Sequence, residues 1–361
     1  MKINAKLSER VSELNYVNEI NMSLADLFSS IIGVSDLFNK DEIDFLDHQS
    51  NDVRNKMMLT RVLETLEIDR DNPEDKDIVD NLIDKHIFEE DIKKYLANPY
   101  YQKIKCKNKK YGGYALFNDH YEPFELFSLT DIQVDKKYQE HTYLSYFSQR
   151  FDFLALNYDG VTWMSITPNE INTMESSINE AFGKVAVFGL GLGYFPYMIS
   201  LKENVQEITI IDNNPTIIKL FKENILPLFE HKEKINIIEG DAFGYVNELE
   251  DYDYAFIDLW HNPDDGLELF LKFKKIEKRV SRCTFSYWLD KSMIQFLRRC
   301  FITLLSEQIN GADEECYKNA ENIADRIINK YYQATKKLAI FDMNELHSLL
   351  NDNELLKLIL G

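Results

Sequence analysis

The stretch that decides the fold is KVAVFGLGLGYFPYMIS, Lys184–Ser200. It places three of the chain's 13 glycines, Gly189, Gly191 and Gly193, between a β-branched apolar run and a helix-compatible one. Glycine is needed where the backbone takes positive φ or where another group approaches the backbone closely, and a strand-to-helix turn that holds a ligand needs both. The stretch therefore predicts a ligand-binding turn, with an ordinary tight turn as the alternative.

Four more short apolar runs follow this turn and alternate with helix-like stretches: EITIID, INIIEG, YAFID and TFSYW. Runs of this length that are apolar throughout are typical of parallel strands buried on both faces of a sheet. We therefore predict an α/β fold with a doubly wound Rossmann-like domain. In such a sheet, ligands bind outside the carboxyl ends of the strands.

The residue composition and the spacing of apolar residues change twice before this domain. Residues 1–98 carry apolar residues at helical spacing, and residues 99–167 are rich in tyrosine, phenylalanine and threonine with turn signals between them. These patterns predict a helical N-terminal region (1–98) and a small antiparallel β unit (99–167). The Rossmann-like domain, with a helical C-terminal extension, is predicted to occupy 168–361.

The charge balance bears on the partners of the chain. A net charge of −20 repels phosphate backbones, so nucleic acid is an unlikely partner. The basic stretch KIKCKNKK, 103–110, predicts an edge strand protected by alternating lysines rather than a nucleic-acid site. The expected partner is a small-molecule or protein substrate, and a homodimer is left open.

The cysteines and the apolar runs bear on metal binding and localisation. The four cysteines are scattered, with no CxxC pair and no cluster with histidine, so no metal site is predicted. The first residues lack the apolar core of a signal peptide, and no run reaches the roughly 18 apolar residues that cross a bilayer. We expect a cytoplasmic protein with reduced thiols and no membrane partner.

Polar residues follow the ends of the second and third predicted strands. Asp212 stands 23 residues after Gly189, where an acidic side chain accepts from the hydroxyls of a ribose. Asn213 follows it and is included in the predicted cofactor site. Asp241 and Ala242 follow the third strand, and Asp241 is predicted to accept from an adenine amino group.

The fourth strand is followed by Asp258, Trp260 and His261, which we expect over the mouth of the site. Asp258 and His261 are the predicted catalytic residues, Asp258 is also a predicted cofactor ligand, and Trp260 is a predicted substrate contact. Other interpretations stay open. Asp258 is also suited to cap a helix, Trp260 to be an exposed loop aromatic and His261 to be a solvated histidine.

The spacing of the glycines bears on the ligand. A dinucleotide site follows the pattern G-x-G-x-x-G, because helix and strand pack closely at the third glycine under a pyrophosphate. Here Tyr194 stands at that position, and the spacing is G-x-G-x-G. The turn is therefore shaped for a ligand without a pyrophosphate. S-adenosylmethionine meets this description, with an adenosine for Asp212 and Asp241 and an amino-acid tail for the glycine turn.

These motifs together resemble a known superfamily. The stretch 184–288 resembles class I S-adenosylmethionine-dependent methyltransferases, and it is most similar to the spermidine synthase-like group, with DNNP at 212–215 and GDA at 240–242. The resemblance implies a Rossmann-like fold, S-adenosylmethionine as cofactor and transferase activity.

The resemblance extends upstream to LNYDGVTWMSITPNEINTMES, 156–176. Spermidine synthases pass from their N-terminal β domain to the catalytic domain through a similar segment, which implies that Glu170 faces the methionine tail or a cationic substrate. The alternative is that Glu170 is an ordinary surface glutamate with no role in binding. The chain departs from the family at Asn169, Thr173, Met174 and His261, where the family has polar and acidic anchors.

These departures decide between two transfer reactions. Polyamine synthesis needs several carboxylates to hold a dication, whereas methyl transfer from a sulfonium mainly needs positioning and no metal. The loop IDLWHNP also lacks the Asn/Asp-Pro-Pro-aromatic pattern of enzymes that methylate bases. We therefore predict a methyltransferase acting on a small molecule or a protein side chain. The alternatives are a spermidine synthase-like aminopropyltransferase and a non-catalytic S-adenosylmethionine-binding module.

Overall fold

The computed structural model describes the backbone of residues 1–361 and the side chains of all of them except Glu74, Asp77 and Asp264. The N-terminal region is mainly helical. Its elements are β1 (Lys2–Ile3), α1 (Ser8–Ile31), α2 (Lys40–Asp47), α3 (Asn51–Thr65), α4 (Pro73–Ile78), a turn of π-helix (Val79–Ile83), β2 (Ile87–Glu89) and α5 (Ile92–Leu96).

The middle of the chain holds one helix and most of the short strands. Its elements are α6 (Pro99–Lys103), β3 (Lys109–Tyr111), β4 (Tyr114–Tyr121), β5 (Phe127–Ser128), β6 (Gln133–Val134), β7 (Glu140–His141), β8 (Leu144–Tyr146), β9 (Phe151–Tyr158) and β10 (Val161–Ser165). Antiparallel pairing joins four of them in the order β10–β9–β4–β3. Strand β2 pairs with β8, across the predicted boundary at residue 98. The domain boundaries stay predictions.

The predicted strand of alternating lysines over 103–110 is wrong for most of its length. Asn98 caps helix α6 by accepting from the backbone N–H of Tyr100, and the helix continues to Lys103. Only Lys109 and Lys110 of the stretch enter a strand, β3.

The third part of the chain alternates helices and strands. Its elements are α7 (Pro168–Glu180), β11 (Gly183–Phe188), α8 (Tyr194–Ser200), β12 (Val205–Asp212), α9 (Pro215–Asn224), β13 (Ile235–Glu239), β14 (Tyr254–Ile257), α10 (Pro263–Glu277), β15 (Thr284–Tyr287) and α11 (Asp290–Ile309). After them come α12 (Ile323–Thr335), β16 (Ala339–Ile340), α13 (Met343–Leu349) and α14 (Asp352–Leu360).

Strands β11 to β15 form one parallel sheet in the order β13–β12–β11–β14–β15. They are the five apolar runs that the sequence predicts as strands. All of β14 and the last four residues of β11 are buried, as a sheet covered by helices requires. The order is consistent with an α/β Rossmann-like fold, and the doubly wound arrangement stays a prediction.

Two clusters of buried apolar side chains hold the chain together. The larger one joins the parallel sheet to α1, through Val11, Leu14 and the preceding residue Leu7, and to the C-terminal helices. The smaller one joins the N-terminal helices to the segment that contains β5 and β8. Among the described residues, no helix combines the length and apolar character needed to span a membrane.

Candidate functional site

A cavity of about 210 Å³ opens at the carboxyl edge of the parallel sheet. It is lined by residues that follow β11, β12 and β14, together with residues of β10 and α7. Strand β11 lies between β12 and β14, so the strands that follow it in the chain lie first on one side of it and then on the other. Open α/β sheets bind ligands at such switch points. The cavity thus lies where the sequence predicts a ligand.

Two of the three clustered glycines serve packing. Gly189 has a φ of +98°, and a Cβ there would lie 1.9 Å from the backbone oxygen of Asp258. Gly193, the residue before α8, has a φ of +75°, and its Cβ would lie 2.3 Å from the ring of Phe221. Both positions need glycine because β14 and α9 pack closely against the turn.

Gly191 differs from these two glycines. Its φ is +54°, and the nearest neighbour of a Cβ would be the sulfur of Met164, at 3.6 Å. Both residues line the cavity. Gly191 is therefore the position in the turn where a side chain would take up the space of a ligand rather than break the fold.

Replacing Gly189 by alanine is expected to lower the free energy of unfolding by about 3 kcal/mol, because the methyl group meets a backbone oxygen that cannot move aside. Gly191→Ala is the matched control, since it adds only backbone strain of about 1 kcal/mol. Denaturant unfolding measures both. Equal losses in the two variants would contradict the different environments of the two glycines.

Asp212, the last residue of β12, fastens the glycine turn. Its carboxylate accepts from the backbone N–H of Leu190 at 2.9 Å and from that of Asn214 at 2.8 Å. Burial raises the pKa of Asp212, and the two N–H donors oppose this shift. Each carboxylate oxygen is able to accept a second hydrogen bond. The residue is thus both a brace of the turn and available to the hydroxyls of a ligand.

The remaining predicted cofactor residues lie in different places. Asn213 is exposed and lines the cavity beside Asp212. Asp241 is exposed and accepts from the backbone N–H of Phe243, so that it caps the short 3₁₀ turn that begins at Ala242. Neither Asp241 nor Ala242 is among the residues that line the cavity. Their predicted contact with adenine stays a prediction.

Glu170 and Asp258 face the same cavity from different elements. Glu170 lies in the first turn of α7, and Asp258 directly follows β14. Burial raises the pKa of Asp258 to about 7. Burial, together with the negative charge of Asp258, raises the pKa of Glu170 well above its usual range. Asp258 lies five residues before α10 begins at Pro263, so it does not cap that helix.

Trp260 lies in the core as well as at the cavity. It is 5% exposed, and its indole N–H donates to the backbone oxygen of Trp288. The alternative of an exposed loop aromatic is therefore wrong. Trp288 also lines the cavity, and its indole N–H donates to the hydroxyl of Thr173 at 3.0 Å. Thr173 thus links helix α7 to Trp288 through this hydrogen bond.

His261 stands half-exposed at the cavity, between a carboxylate and an aromatic ring. Its Nδ1 lies 2.9 Å from Oδ2 of Asp265. Its ring packs edge-to-face with Trp163, with the ring centroids 4.9 Å apart. His261 is therefore not a freely solvated histidine, because both neighbours restrict its ring.

Sequence reasoning missed the aromatic wall that β10 supplies. Trp163 lines the cavity and packs against Tyr114 and Tyr158. The hydroxyl of Tyr114 accepts from the side chain of Asn214, which caps α9. These contacts join the antiparallel sheet to the carboxyl edge of the parallel sheet. The only local signal was the density of aromatic residues in this part of the chain.

A second missed contribution comes from helix α6. The hydroxyl of Tyr100, which is fully buried, donates to the backbone oxygen of Leu192 in the glycine turn at 2.6 Å. Asn98 donates to the hydroxyl of Tyr194 at 2.9 Å. The glycine turn is therefore held from outside the parallel sheet as well.

Replacing Tyr100 by phenylalanine is expected to cost about 1–3 kcal/mol of stability, because it leaves the oxygen of Leu192 buried without a donor. It should also weaken ligand binding at the turn. Tyr331→Phe is the matched control, since that buried hydroxyl donates to the backbone oxygen of Leu355, in the C-terminal helices. Calorimetric titration with S-adenosylhomocysteine compares the two; equal affinities would show that Tyr100 does not support the turn.

The charges around the cavity restrict its ligand. Among the described lining residues, the ionisable acids and bases at neutral pH are Glu170, Asp212, Asp258 and His261, with no lysine or arginine. This acidic lining favours a cation, because a bound cation shifts the buried carboxyls towards their ionised forms. It offers a phosphate no cationic partner. Among the described residues, no group of three or more His, Cys, Asp or Glu side chains is arranged to hold a metal ion; that no metal is needed stays a prediction.

Comparison with known proteins gives a fold-level likeness. No protein-family model and no curated protein matches the chain. A spermidine synthase in complex with the transition-state analogue AdoDATO is similar over 42% of this chain and 58% of its own, with 16% identity and a TM-score of 0.30. The spermidine synthase of Thermotoga maritima has the same coverage and TM-score with 14% identity.

A third similar structure is the precorrin 8W decarboxylase of Methanobacterium thermoautotrophicum. It shares 20% identity over 41% of this chain and 74% of its own, with a TM-score of 0.27. The matched region thus spans little more than half the length of the spermidine synthases. Likeness at this level carries no argument about activity.

Proposed function

We propose that the chain is an S-adenosylmethionine-dependent methyltransferase that acts on a small molecule or a protein side chain. The observation that carries this proposal is the cavity at the carboxyl ends of β11, β12 and β14, which combines an open glycine at Gly191 with an anionic lining. A sulfonium nucleoside is a cation without phosphates. It therefore suits this lining better than a nucleotide does.

In this proposal the residues have distinct tasks. Gly191 lets the ligand approach the backbone, Asp212 accepts from the ribose hydroxyls, and Asp241 and Ala242 border the adenine. The bound cofactor supplies a carbon already activated by its positive sulfur. Glu170 and Asp258 face the cavity from different elements. A bound cation favours the ionised form of each carboxyl, and the ionised carboxylates stabilise the positive charge.

The remaining tasks concern the acceptor. His261 takes the proton that the acceptor loses, and Trp260 provides part of the wall against which the acceptor is positioned. Positioning is the main requirement of this chemistry, since the leaving group is already activated. The protein therefore needs an ordered cavity rather than a strong nucleophile of its own.

A second candidate is aminopropyl transfer from decarboxylated S-adenosylmethionine. It is favoured by the same lining, since no lysine or arginine among the described lining residues neutralises the carboxylate of the methionine tail. It is disfavoured by positions 169, 173 and 174, where the similar family has polar and acidic anchors. Here Thr173 is bonded to Trp288, and Met174 is a buried apolar residue.

Product analysis separates the candidates. The purified chain is incubated with a cell-metabolite mixture and either S-adenosylmethionine or its decarboxylated form. Methyl transfer yields S-adenosylhomocysteine, and we expect this product. Accumulation of 5′-methylthioadenosine with an aminopropylated amine would establish the second candidate instead. Tight binding of the cofactor without either product would indicate a non-catalytic binding module.

A further inference from the structure

The carboxylate of Asp265 brings together three hydrogen bonds at the mouth of the cavity. It accepts from the backbone N–H of His261 at 3.1 Å and from that of Asn262 at 3.0 Å. The imidazole Nδ1 of His261 lies 2.9 Å from Oδ2 of the same carboxylate. Asp265 is the third residue of α10, so a rigid element holds it.

Part of this arrangement is explained by the start of the helix. The side chain of Asn262 accepts from the backbone N–H of Asp265 at 3.2 Å, while Asp265 accepts from the backbone of Asn262, as in a capping box. The same reciprocal pair occurs at Asn322 and Asp325 of α12. A capping box explains the bonds to the backbone. It does not explain the bond to the imidazole.

We propose that Asp265 is a positioning residue that holds His261 as the proton acceptor of the cavity. A carboxylate only accepts hydrogen bonds, so Nδ1 must carry the proton. Nε2 is then the unprotonated nitrogen with a free lone pair, and no described side chain donates a hydrogen bond to it. The packed Trp163 ring, whose centroid lies 4.9 Å from that of the imidazole, restrains the imidazole further. The catalytic part of this inference rests on the proposed transferase function.

Methyl transfer releases one proton from the acceptor atom. The acceptor atom forms a bond to the activated carbon while the carbon–sulfur bond breaks, and that electron pair stays on sulfur as a neutral thioether. The proton of the acceptor passes to Nε2 of His261, which becomes an imidazolium. The negative charge of Asp265 stabilises this cation through Nδ1–H. The proton leaves to solvent, since His261 is 47% exposed.

The variant Asp265→Asn tests the arrangement directly. Its amide oxygen is still able to accept from the backbone, which preserves the cap, while its N–H₂ group faces Nδ1 as a donor. The imidazole is then expected to shift to the tautomer with the proton on Nε2. Asp325→Asn is the matched control, because the same cap at α12 involves no histidine.

Long-range ¹⁵N–¹H NMR of the full chain at pH 8, with the signal assigned by His261→Gln, reports the tautomer. We expect Nδ1–H in the wild type and in Asp325→Asn, and a shift to Nε2–H in Asp265→Asn. Nε2–H in the wild type, or an unchanged tautomer in Asp265→Asn, would overturn the inference.

Acylation of His261 by diethyl pyrocarbonate, followed by mass spectrometry, tests whether Nε2 faces the ligand. We expect His261 to lose its acylation when S-adenosylhomocysteine is saturating. If calorimetry shows binding but the rate of acylation stays unchanged, the proposed role of His261 at the cavity is contradicted. Absence of any binding would instead reject the proposed function, and NMR would still decide whether Asp265 sets the tautomer.

Discussion

Replacing Gly191 by valine is expected to weaken the binding of S-adenosylhomocysteine by about 100-fold or more, equivalent to about 2.7 kcal/mol. The Cβ of Gly191 would meet only the sulfur of Met164, so the branched side chain fills space that the ligand needs. The fold should survive, since no backbone atom blocks this position and the cost is limited to the strain of a side chain at a φ of +54°. Calorimetric titration measures the affinity, and circular dichroism checks the fold.

Gly112→Val is the matched control for this experiment. Gly112 has a φ of +59° and open space around its Cβ, and it is not among the residues that line the cavity. It therefore imposes similar backbone strain without touching the ligand. If a folded Gly191→Val variant bound as tightly as the control, the assignment of the glycine turn as the cofactor site would be removed.

Replacing Asp258 by asparagine is expected to weaken the binding of S-adenosylmethionine by about 1–3 kcal/mol, the range for a charge-assisted contact. The wild-type affinity should rise as the pH increases from 6 to 8. This sign follows because burial raises the pKa of Asp258 to about 7, and the anion binds a sulfonium better than the neutral acid does. Turnover should fall more than cofactor affinity.

The ligand-free protein should show the opposite dependence on pH. Because burial raises the pKa of Asp258, the native state keeps its proton to higher pH than the unfolded chain does. The contribution of Asp258 to stability is therefore present below about pH 4 and lost as the pH rises to about 7. In Asp258→Asn this part of the decline in melting temperature should disappear.

Asp131→Asn is the control for the binding measurement. Burial also raises the pKa of Asp131, yet this residue is bonded to Ser292 and is not among the residues that line the cavity. It should change stability without changing the pH dependence of binding. A wild-type affinity that falls between pH 6 and pH 8 would contradict the proposed part of Asp258 in holding a cation.

The strands of the parallel sheet were predictable because burial on both faces selects residues locally. Runs such as VAVF and YAFID can be recognised as apolar without knowledge of the tertiary contacts, and they supply residues of β11 and β14. The glycine turn was predictable because three closely spaced glycines between a strand and a helix are themselves a local signal. The reason why Gly189 and Gly193 must each be glycine was not predictable. It depends on Asp258 and Phe221, which come close to them only in the folded chain.

The residues of the candidate site also divide into those that the local sequence predicts and those that depend on tertiary contacts. The acidic residues after the strands were found because strand ends meet at one edge of a parallel sheet. Tyr100 and Trp163 were missed because they reach this edge from a helix and a strand outside it. The cap that Asn262 and Asp265 form had a local signal in the sequence, Asn-x-x-Asp at the start of a helix. That signal predicts a cap and says nothing of the imidazole.

The most direct measurement is calorimetric titration of the wild-type chain at pH 8 with S-adenosylmethionine, S-adenosylhomocysteine, ATP and NAD. The anionic cavity predicts one binding site for the two adenosyl compounds, with S-adenosylmethionine bound more tightly because of its positive sulfur, and no binding of the two phosphorylated ligands. No binding of S-adenosylmethionine, or equal or tighter binding of ATP or NAD, would contradict the proposal that this cavity holds a sulfonium nucleoside.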